Sequence, residues 1–294
     1  MAGAGDEDLM RQGRDWLIAL LLVLAPSSLF AQTPPLAVYV EGAQGHFRSG
    51  FIQALQAAGQ PLVLVASEQD SDMLIALGDE AFSRALEQGK PVLGVFVSRA
   101  LAEKVERKGC HCAAIWAGVA LDDQLAMLEV MMPLARKVGV VLGPNSAWSQ
   151  GALQDYSGRL SLFPMLVSPE NELGDLLRET LPELDVLLLP VDEDLFGPAA
   201  AKLILLTSYR LRRPVFGPEQ SYVQAGSVAS LYASGGDLVA EALVHLESFR
   251  QRKRFRRSGF VHTPSVIVNE HVAGSFDMRY SNTEALRDAQ EMLP

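Results

Sequence analysis

Short apolar runs alternate with amphipathic stretches along most of the chain, and this alternation is the feature that most constrains the fold. Each run ends where polar residues or glycine begin. Such runs are typical of strands buried in a parallel sheet, and the stretches between them are typical of the helices that connect those strands. The strand candidates in the first part of the chain are Leu36–Val40, Leu62–Ala66, Met73–Leu77 and Val92–Val97.

The same alternation begins again in the second part of the chain. It predicts helices over Gln124–Met132, Trp148–Gly158, Glu170–Leu181 and Pro198–Leu211. Strands are predicted at Val138–Leu142, Leu160–Leu166, Val186–Pro190 and Val215–Phe216. We therefore expect an α/β protein of two Rossmann-like lobes, each with a parallel sheet of about four strands. Ligands of such sheets bind at the carboxyl ends of the strands, so these ends are expected to line one cleft.

The last part of the chain predicts a hinge. A β-like segment, a helix and a strand follow at Ser227–Ala233, Asp237–Phe249 and Pro264–Val268, and they can belong to different lobes. The chain then crosses between the lobes near Ile115–Ala120, Ser234–Gly236 and Phe260–Thr263. The expected domains are residues 32–118 with 235–260 for the first lobe, 119–234 with 261–278 for the second, and a tail over 279–294.

The N-terminus predicts export. Trp16–Leu24 is an apolar run with the length of a signal-peptide core, and it is short of the roughly 20 residues that span a membrane. We expect cleavage near Ala31, so that residues 1–31 form a signal peptide. We predict that translation starts at Met10, which leaves Arg11 and Arg14 before the core and removes the acidic residues Asp6, Glu7 and Asp8. An uncleaved N-terminal anchor is the alternative. The expected location is the periplasm.

Charge and motifs exclude several functions. The formal net charge is −10, whereas proteins that bind nucleic acid through its phosphates are normally basic. The chain has no Gly-x-Ser-x-Gly, Gly-x-Gly-x-x-Gly, Walker or His-Glu-x-x-His motif. The neighbours Asn269, Glu270 and His271 lie on a predicted strand and do not converge. We expect a binding protein without enzyme activity, cofactor or metal.

Four stretches resemble one known family. They are Leu121–Asn145, residues 185–193 (Asp-Val-Leu-Leu-Leu-Pro-Val-Asp-Glu), residues 213–231 and residues 265–270. Together they resemble the ABC transporter substrate-binding proteins, in the tryptophan- and tyrosine-type branch of the type I periplasmic-binding-protein-like superfamily. The resemblance covers about residues 120–275 and implies a hinged, two-lobed, exported protein.

Polar residues that follow the predicted strands are the candidate ligand-binding residues. They are Glu41, Gln44, Ser67, Gly78, Asp79, Ser98, Arg99, Asn145, Asp192, Glu219 and Tyr222. The acids favour a ligand that carries positive charge, such as an amino acid, an amine or an oligopeptide-like molecule, and Arg99 can pair with a ligand carboxylate. Single acids such as Asp79 or Asp192 can instead cap helices. Trp116 and Trp148 can stack on an aromatic ligand or belong to the core.

The expected function is capture of a small solute between two lobes for ABC-type uptake through a membrane permease. The alternative is a periplasmic sensory or accessory protein that signals to a membrane receptor or a TonB-dependent uptake system. We expect a monomer. Cys110 and Cys112 are expected to form a small disulfide or to remain free thiols, since metal sites use wider spacing and more ligands. The basic run Arg250–Arg257 is expected to be a solvated helix end or a docking patch for a partner or anionic lipid.

Overall fold

The computed structural model describes residues 34–42, 44–167, 172–276 and 278. The predicted signal peptide, the start at Met10 and the tail over 279–294 lie outside the described residues. The described chain forms two α/β lobes, in agreement with the sequence prediction. Each lobe has more strands than the four expected. The strand at Cys112–Trp116 was not predicted, and the predicted segments at Ser227–Ala233 and Pro264–Val268 add two strands to the second lobe.

The first lobe is built on a five-stranded parallel sheet in the order β2-β1-β3-β4-β5. Its strands are β1 (Leu36–Glu41), β2 (Leu62–Leu64), β3 (Met73–Leu77), β4 (Val92–Val97) and β5 (Cys112–Trp116). Its helices are α1 (His46–Ala57), α2 (Asp79–Leu86) and α3 (Arg99–Glu106). The sequence analysis missed β5 and α3.

The second lobe is built on a six-stranded sheet in the order β11-β10-β9-β8-β6-β7, in which only the β10–β11 pair is antiparallel. Its strands are β6 (Lys137–Leu142), β7 (Ser161–Leu166), β8 (Val186–Leu188), β9 (Val215–Phe216), β10 (Ala229–Tyr232) and β11 (Ser265–Val268). Its helices are α4 (Leu121–Met131), α5 (Gln150–Asp155), α6 (Leu173–Thr180), α7 (Pro198–Arg210), α8 (Gln220–Ala225) and α10 (Glu270–Ser275).

Burial on both faces explains the unbroken apolar runs of the strands. Leu74 of β3 is enclosed with Phe82 of α2, while its neighbour Ile75 belongs to the core on the opposite face of the sheet. Successive side chains of a strand point to opposite faces, so a strand covered on both faces must be apolar throughout.

The chain passes between the lobes three times. It leaves β5 for α4 through residues 117–120, and it leaves β10 through residues 233–234 for the long helix α9 (Gly235–Arg252). Helix α9 packs against α1, β4 and β5 of the first lobe, and residues 253–264 then lead back to β11 in the second. Three short connections form a hinge rather than a flexible tether. The domain boundaries given above stay a prediction at the level of single residues.

The segment at Asn269 corrects one sequence prediction. Asn269, Glu270 and His271 were expected on a strand, but β11 ends at Val268. The Asn269 side chain accepts a hydrogen bond from the Val272 amide (3.1 Å) and caps α10. Asparagine is among the best helix-capping residues, because its side-chain oxygen satisfies an amide of the first turn.

Candidate functional site

The loops that follow the strands of the two lobes enclose a cleft with a charged half and an apolar half. The charged half is a cavity of about 390 Å³, and the apolar half is a cavity of about 430 Å³. Phe96 and Val191 line both, so the two halves adjoin along these side chains. The charged half takes side chains from both lobes: Asp79, Arg99 and Lys104 from the first, and Asn145, Asp192, Glu193 and Asp194 from the second.

The first-lobe wall of the charged half is held together by Asp79. Its carboxylate accepts hydrogen bonds from the backbone amide (2.6 Å) and the hydroxyl (2.5 Å) of Ser98. Asp79 begins α2 and Ser98 caps α3, so the pair connects the loops after β3 and β4. Gly78 precedes Asp79 with a φ of +84°, a conformation that side chains disfavour. Gly78, Asp79 and Ser98 therefore form one preorganised corner of the cleft.

Arg99 faces the charged half beside this corner. Its guanidinium lies 5.0 Å from the ring centroid of Trp116, and its Nε donates to the Glu103 carboxylate at 2.7 Å. Trp116 in turn packs edge-on against Phe260. An arginine stacked on an indole keeps its outer N–H groups in a fixed plane, which suits two-pronged binding of a carboxylate.

The second-lobe wall is organised by Asp192. This residue is buried, and its carboxylate accepts from the Ser146 hydroxyl (2.8 Å) and the Leu195 amide (3.0 Å). Asn145 donates to the Asp194 carboxylate at 2.6 Å. The loops after β6 and β8 are thereby joined. The Asp192 carboxylate makes one hydrogen bond within its own turn and one to the loop after β6, and it is not the N-cap of a helix.

The carboxyl of Glu193 is influenced by acidic side chains of both lobes. Glu193 is exposed at the edge of the cleft, yet partial burial raises the pKa of its carboxyl, and the negative charges of Asp79, Asp194 and Glu219 raise it further. Asp79 belongs to the opposite lobe, so carboxylates from both lobes repel one another across the cleft. A positive charge placed between them would relieve this repulsion.

The apolar half depends on an irregularity in β4. Phe96 has a φ of +57°, and the pairing of β4 with β5 shifts its register between Val95 and Val97. Such a bulge re-aims a side chain, and here the Phe96 ring lines the cleft instead of entering the sheet core. Phe47 and Leu238 line the same cavity. The sequence analysis missed all three, since nothing in the run Val92–Val97 marks a bulge.

Glu219 lies in the apolar half rather than in the charged one. It is exposed, and its carboxylate accepts a 2.6 Å hydrogen bond from the Ser221 hydroxyl. Ser221 and Ser234 line the same cavity. This half therefore combines aromatic and aliphatic walls with a carboxylate at its border.

Besides Tyr222, which belongs to the core, three candidate residues lie outside both cavities. Glu41 pairs with Arg84 of α2 (2.9 Å), and Gln44 is exposed ahead of α1. Ser67 accepts from the Gln69 amide, in a loop whose carbonyl groups are bound by the Lys90 ammonium. Lys90 lies just before β4, so this loop sits at the amino ends of the strands. The last residue of β2, Leu64, and the first residue of β3, Met73, both pair with Val38 of β1. The two strands therefore meet at the same level of the sheet, and no crossover helix carries Ser67 to the cleft.

Tyr222 and Trp148 are core residues. Tyr222 is 4% exposed, its hydroxyl donates to the Phe196 carbonyl (3.1 Å), and burial raises the pKa of that hydroxyl. Trp148 is 3% exposed and donates from its indole N–H to the Val119 carbonyl (2.8 Å). Buried aromatic residues commonly satisfy their polar atom in this way. Trp116, in contrast, stacks with the Arg99 guanidinium, which lines the charged half of the cleft.

The cysteines, the possible metal ligands and the helices of the described residues each bear on a sequence prediction. Cys110 and Cys112 are joined by a disulfide, one of the two states left open by the sequence. Within residues 34–42, 44–167, 172–276 and 278, no group of three or more His, Cys, Asp or Glu side chains is arranged to hold a metal ion. In the same residues no helix is both long and apolar enough to cross a membrane.

Comparison with known proteins identifies the fold. No protein-family model matches the chain, and no curated protein is detectably similar in sequence. Among solved structures, the chain is similar to a ligand-free, open substrate-binding protein with adhesive properties from Clostridium difficile (17% identity, 85% of this chain and 97% of that one, TM-score 0.62).

Two other solved structures are similar to a comparable extent. One is an ABC domain in complex with L-Trp from Streptococcus pneumonia (12% identity, 85% and 96% coverage, TM-score 0.59). The other is a conserved domain protein from Vibrio cholerae (15% identity, 86% and 98% coverage, TM-score 0.56). At these identities the likeness shows the fold alone, two α/β lobes of the type I periplasmic-binding-protein-like kind.

Proposed function

We propose that this protein captures a small solute bearing an amino group, an amino acid or an amine-like molecule, between its two lobes in the periplasm and delivers it to an ABC-type permease. The observation that carries the proposal is the placement of carboxylates from both lobes around one cleft: Asp79 of the first lobe, and Glu193, Asp194 and Glu219 of the second. An ammonium group is the simplest ligand group that would neutralise the negative charge of these carboxylates.

The two halves of the cleft suggest how an amino acid would lie. Its ammonium would be placed among Glu193, Asp194 and Glu219, and its carboxylate would meet the guanidinium of Arg99. An apolar side chain would extend along Phe96 into the second cavity. An aromatic amino acid fits this division, and the L-Trp complex among the similar structures is consistent with the tryptophan- and tyrosine-type branch.

Binding in this arrangement needs no covalent step. Each lobe supplies part of the wall, so a ligand that contacts both lobes favours the closed arrangement over the open one by the difference in contact energy. The closed form would then be the one that a permease recognises. The absence from the sequence of the catalytic motifs considered above supports binding without turnover.

Calorimetry with the exported protein tests the proposal. L-tryptophan, L-lysine, N-acetyl-L-tryptophan and succinate form the panel. We expect binding of ligands with a free ammonium and loss of binding on N-acetylation. Tight binding of succinate alone would refute the proposed ligand class, and conversion of a bound ligand on prolonged incubation would refute the proposed absence of catalysis.

A matched pair of variants locates the site. Glu193→Gln removes a cleft carboxylate without changing its size, and we expect the ligand to bind about 10-fold more weakly, as for loss of one charged hydrogen bond. Glu179→Gln removes an exposed carboxylate from α6 and should leave the affinity unchanged. An equal effect of both variants would show that Glu193 acts only through the net charge of the protein.

A further inference from the structure

The segment after α9 carries a dense positive charge that the cleft does not use. Five of the six residues from Arg252 to Arg257 are basic, and all five are exposed. We call residues 252–257 the basic strap. It stands out because the chain as a whole is acidic, with a formal net charge of −10.

The strap is fixed to the edge of the first sheet. Directly after it, the Gly259 amide donates to the Ala114 carbonyl (3.1 Å), and the Gly259 carbonyl accepts from the Trp116 amide (2.8 Å). The Ser258 hydroxyl accepts from the Ala114 amide (2.7 Å). These bonds cover part of the outer edge of β5, and Gly259 forms an isolated parallel bridge with Ile115.

Aromatic packing holds the middle of the strap. Phe255 stacks on Phe249 of α9 with ring centroids 4.8 Å apart. His111, which lies inside the Cys110–Cys112 disulfide loop, contacts both rings. Phe255 therefore points inward while the basic residues on either side of it are exposed, with the Lys253 ammonium 5.7 Å from the ring centroid of Phe249. The cations are displayed on a fixed surface and do not belong to a free tail.

The positive charge of the strap is not neutralised within the part of the chain that the structure describes. There, no ion pair is formed by Arg252, Lys253, Arg254, Arg256 or Arg257. The nearest acid on α9, Glu247, is bound to Arg250 and Gln251 instead. Five exposed cations side by side repel one another, so the fold gains nothing from their proximity.

We propose that the basic strap docks the protein on a membrane surface rich in anionic phospholipid, such as phosphatidylglycerol. A protein partner is less suited, because the centres of protein interfaces are poor in charge and built on aromatic anchors, whereas the one aromatic ring of the strap is packed inward. A lipid surface requires only cations within reach of phosphate groups, and each basic residue near such a surface strengthens binding by about five-fold.

The acidic remainder of the molecule gives the docking an orientation. The strap concentrates positive charge on a chain of formal net charge −10, so the first lobe would approach an anionic surface through the edge of β5. The strap also belongs to the third connection between the lobes, and the residue two positions after Ser258, Phe260, packs on Trp116 beside the cleft. Docking through the strap would hold the mouth of the cleft at a fixed distance from the membrane.

Vesicle flotation with the full exported chain tests this proposal. Vesicles contain either phosphatidylcholine alone or equal parts of phosphatidylcholine and phosphatidylglycerol. We expect binding only to the vesicles with phosphatidylglycerol, and its loss at high salt, because salt screens exposed charges. The triple variant Arg254→Gln, Arg256→Gln and Arg257→Gln should bind about 100-fold more weakly.

The control neutralises three exposed cations elsewhere. Lys202→Gln, Arg210→Gln and Arg212→Gln lie on or just after α7 of the second lobe and should leave vesicle binding unchanged. Circular dichroism confirms that both variants fold. Equal binding to both vesicle types, or an equal loss in both triple variants, would overturn the proposal. Absence of vesicle binding by the unaltered chain would do so as well, and would leave an acidic protein face as the partner to test.

Discussion

Gln124 provides a sharp test of how the second lobe keeps its cleft open. This glutamine of α4 is 1% exposed, and its amide is inserted between β9 and β10. Its Nε2 donates to the Gly217 carbonyl (3.3 Å), and its Oε1 accepts from the Leu231 amide (3.1 Å). The preceding hydrogen bond between β9 and β10 joins backbone atoms directly, since the Gly217 amide donates to the Ala229 carbonyl at 2.9 Å. The side chain thus takes the place of the next backbone bond.

The insertion explains why β9 has only two residues. Strands β9 and β10 separate at Gly217, and the chain after it, Pro218 and Glu219, turns into the wall of the apolar half of the cleft. Replacing Gln124 by leucine would leave the Gly217 carbonyl and the Leu231 amide buried without partners. Each such group costs about 1–3 kcal/mol, and the added apolar burial returns about 1 kcal/mol.

We expect Gln124→Leu to lower the free energy of unfolding by about 2 kcal/mol, which corresponds to a fall in Tm of about 4–8 °C for a chain of this size. Urea titration followed by circular dichroism measures it, with Gln56→Leu on the exposed face of α1 as the control. Gln124→Glu adds a second test. Its loss of stability should shrink as the pH falls, because only a protonated carboxyl can donate to the Gly217 carbonyl.

An unchanged stability in Gln124→Leu would refute this reasoning. It would mean that β9 and β10 close up and pair directly when the amide is removed. In that case the shape of the apolar half would change instead of the stability, and ligand affinity would fall in a protein of normal Tm.

Two further changes should follow from the structure. Burial raises the pKa of the Asp123 carboxyl to about 6, so the stability that its protonated form contributes is lost as the pH rises from 3.8 through 6. Asp123→Asn should therefore raise Tm at pH 7 but not at pH 4 in thermal scans, and the exposed control Asp70→Asn should show no such difference. Equal shifts of Tm at both pH values would contradict this. Replacing Cys110 and Cys112 by serine opens a very short loop, for which the chain-entropy model gives about 1–2 kcal/mol. Tm should therefore fall by only a few degrees, and an unfolded double variant would contradict this expectation.

The sequence predicted the fold class better than the details of the cleft. Strands buried on both faces are apolar throughout, so β3, β4 and β6 were placed within a residue or two. Strand β5 begins with Cys112 and two alanines, which carry little β preference, and it was missed. Helix α3 was missed although Ser98 caps it, because the short sequence after Ser98 was interpreted as a loop.

Cleft residues at the ends of strands could be predicted from the sequence, whereas Phe96 could not. The ends of strands could be recognised in the sequence, and the structure brings Gly78, Asp79, Ser98, Arg99, Asn145 and Asp192 into the charged half and Glu219 into the apolar half. Their role in binding stays a prediction. Phe96 could not be found, because its position depends on a register shift between two strands, which is a property of their pairing and not of either sequence.

The position of Phe96 connects the two halves of the cleft to the hinge. Its neighbour across both cavities, Val191, also lies against Gly118, where an added Cβ would approach the Val191 side chain to within 3.2 Å. Gly118 has a φ of +95° and belongs to the first connection between the lobes. Rotation about this connection must therefore move Val191 relative to Phe96, and with it the boundary between the charged and apolar halves. A solute placed across both halves, as proposed above, would lie beside this connection, so closure of the lobes and recognition of its two ends would depend on the same contact.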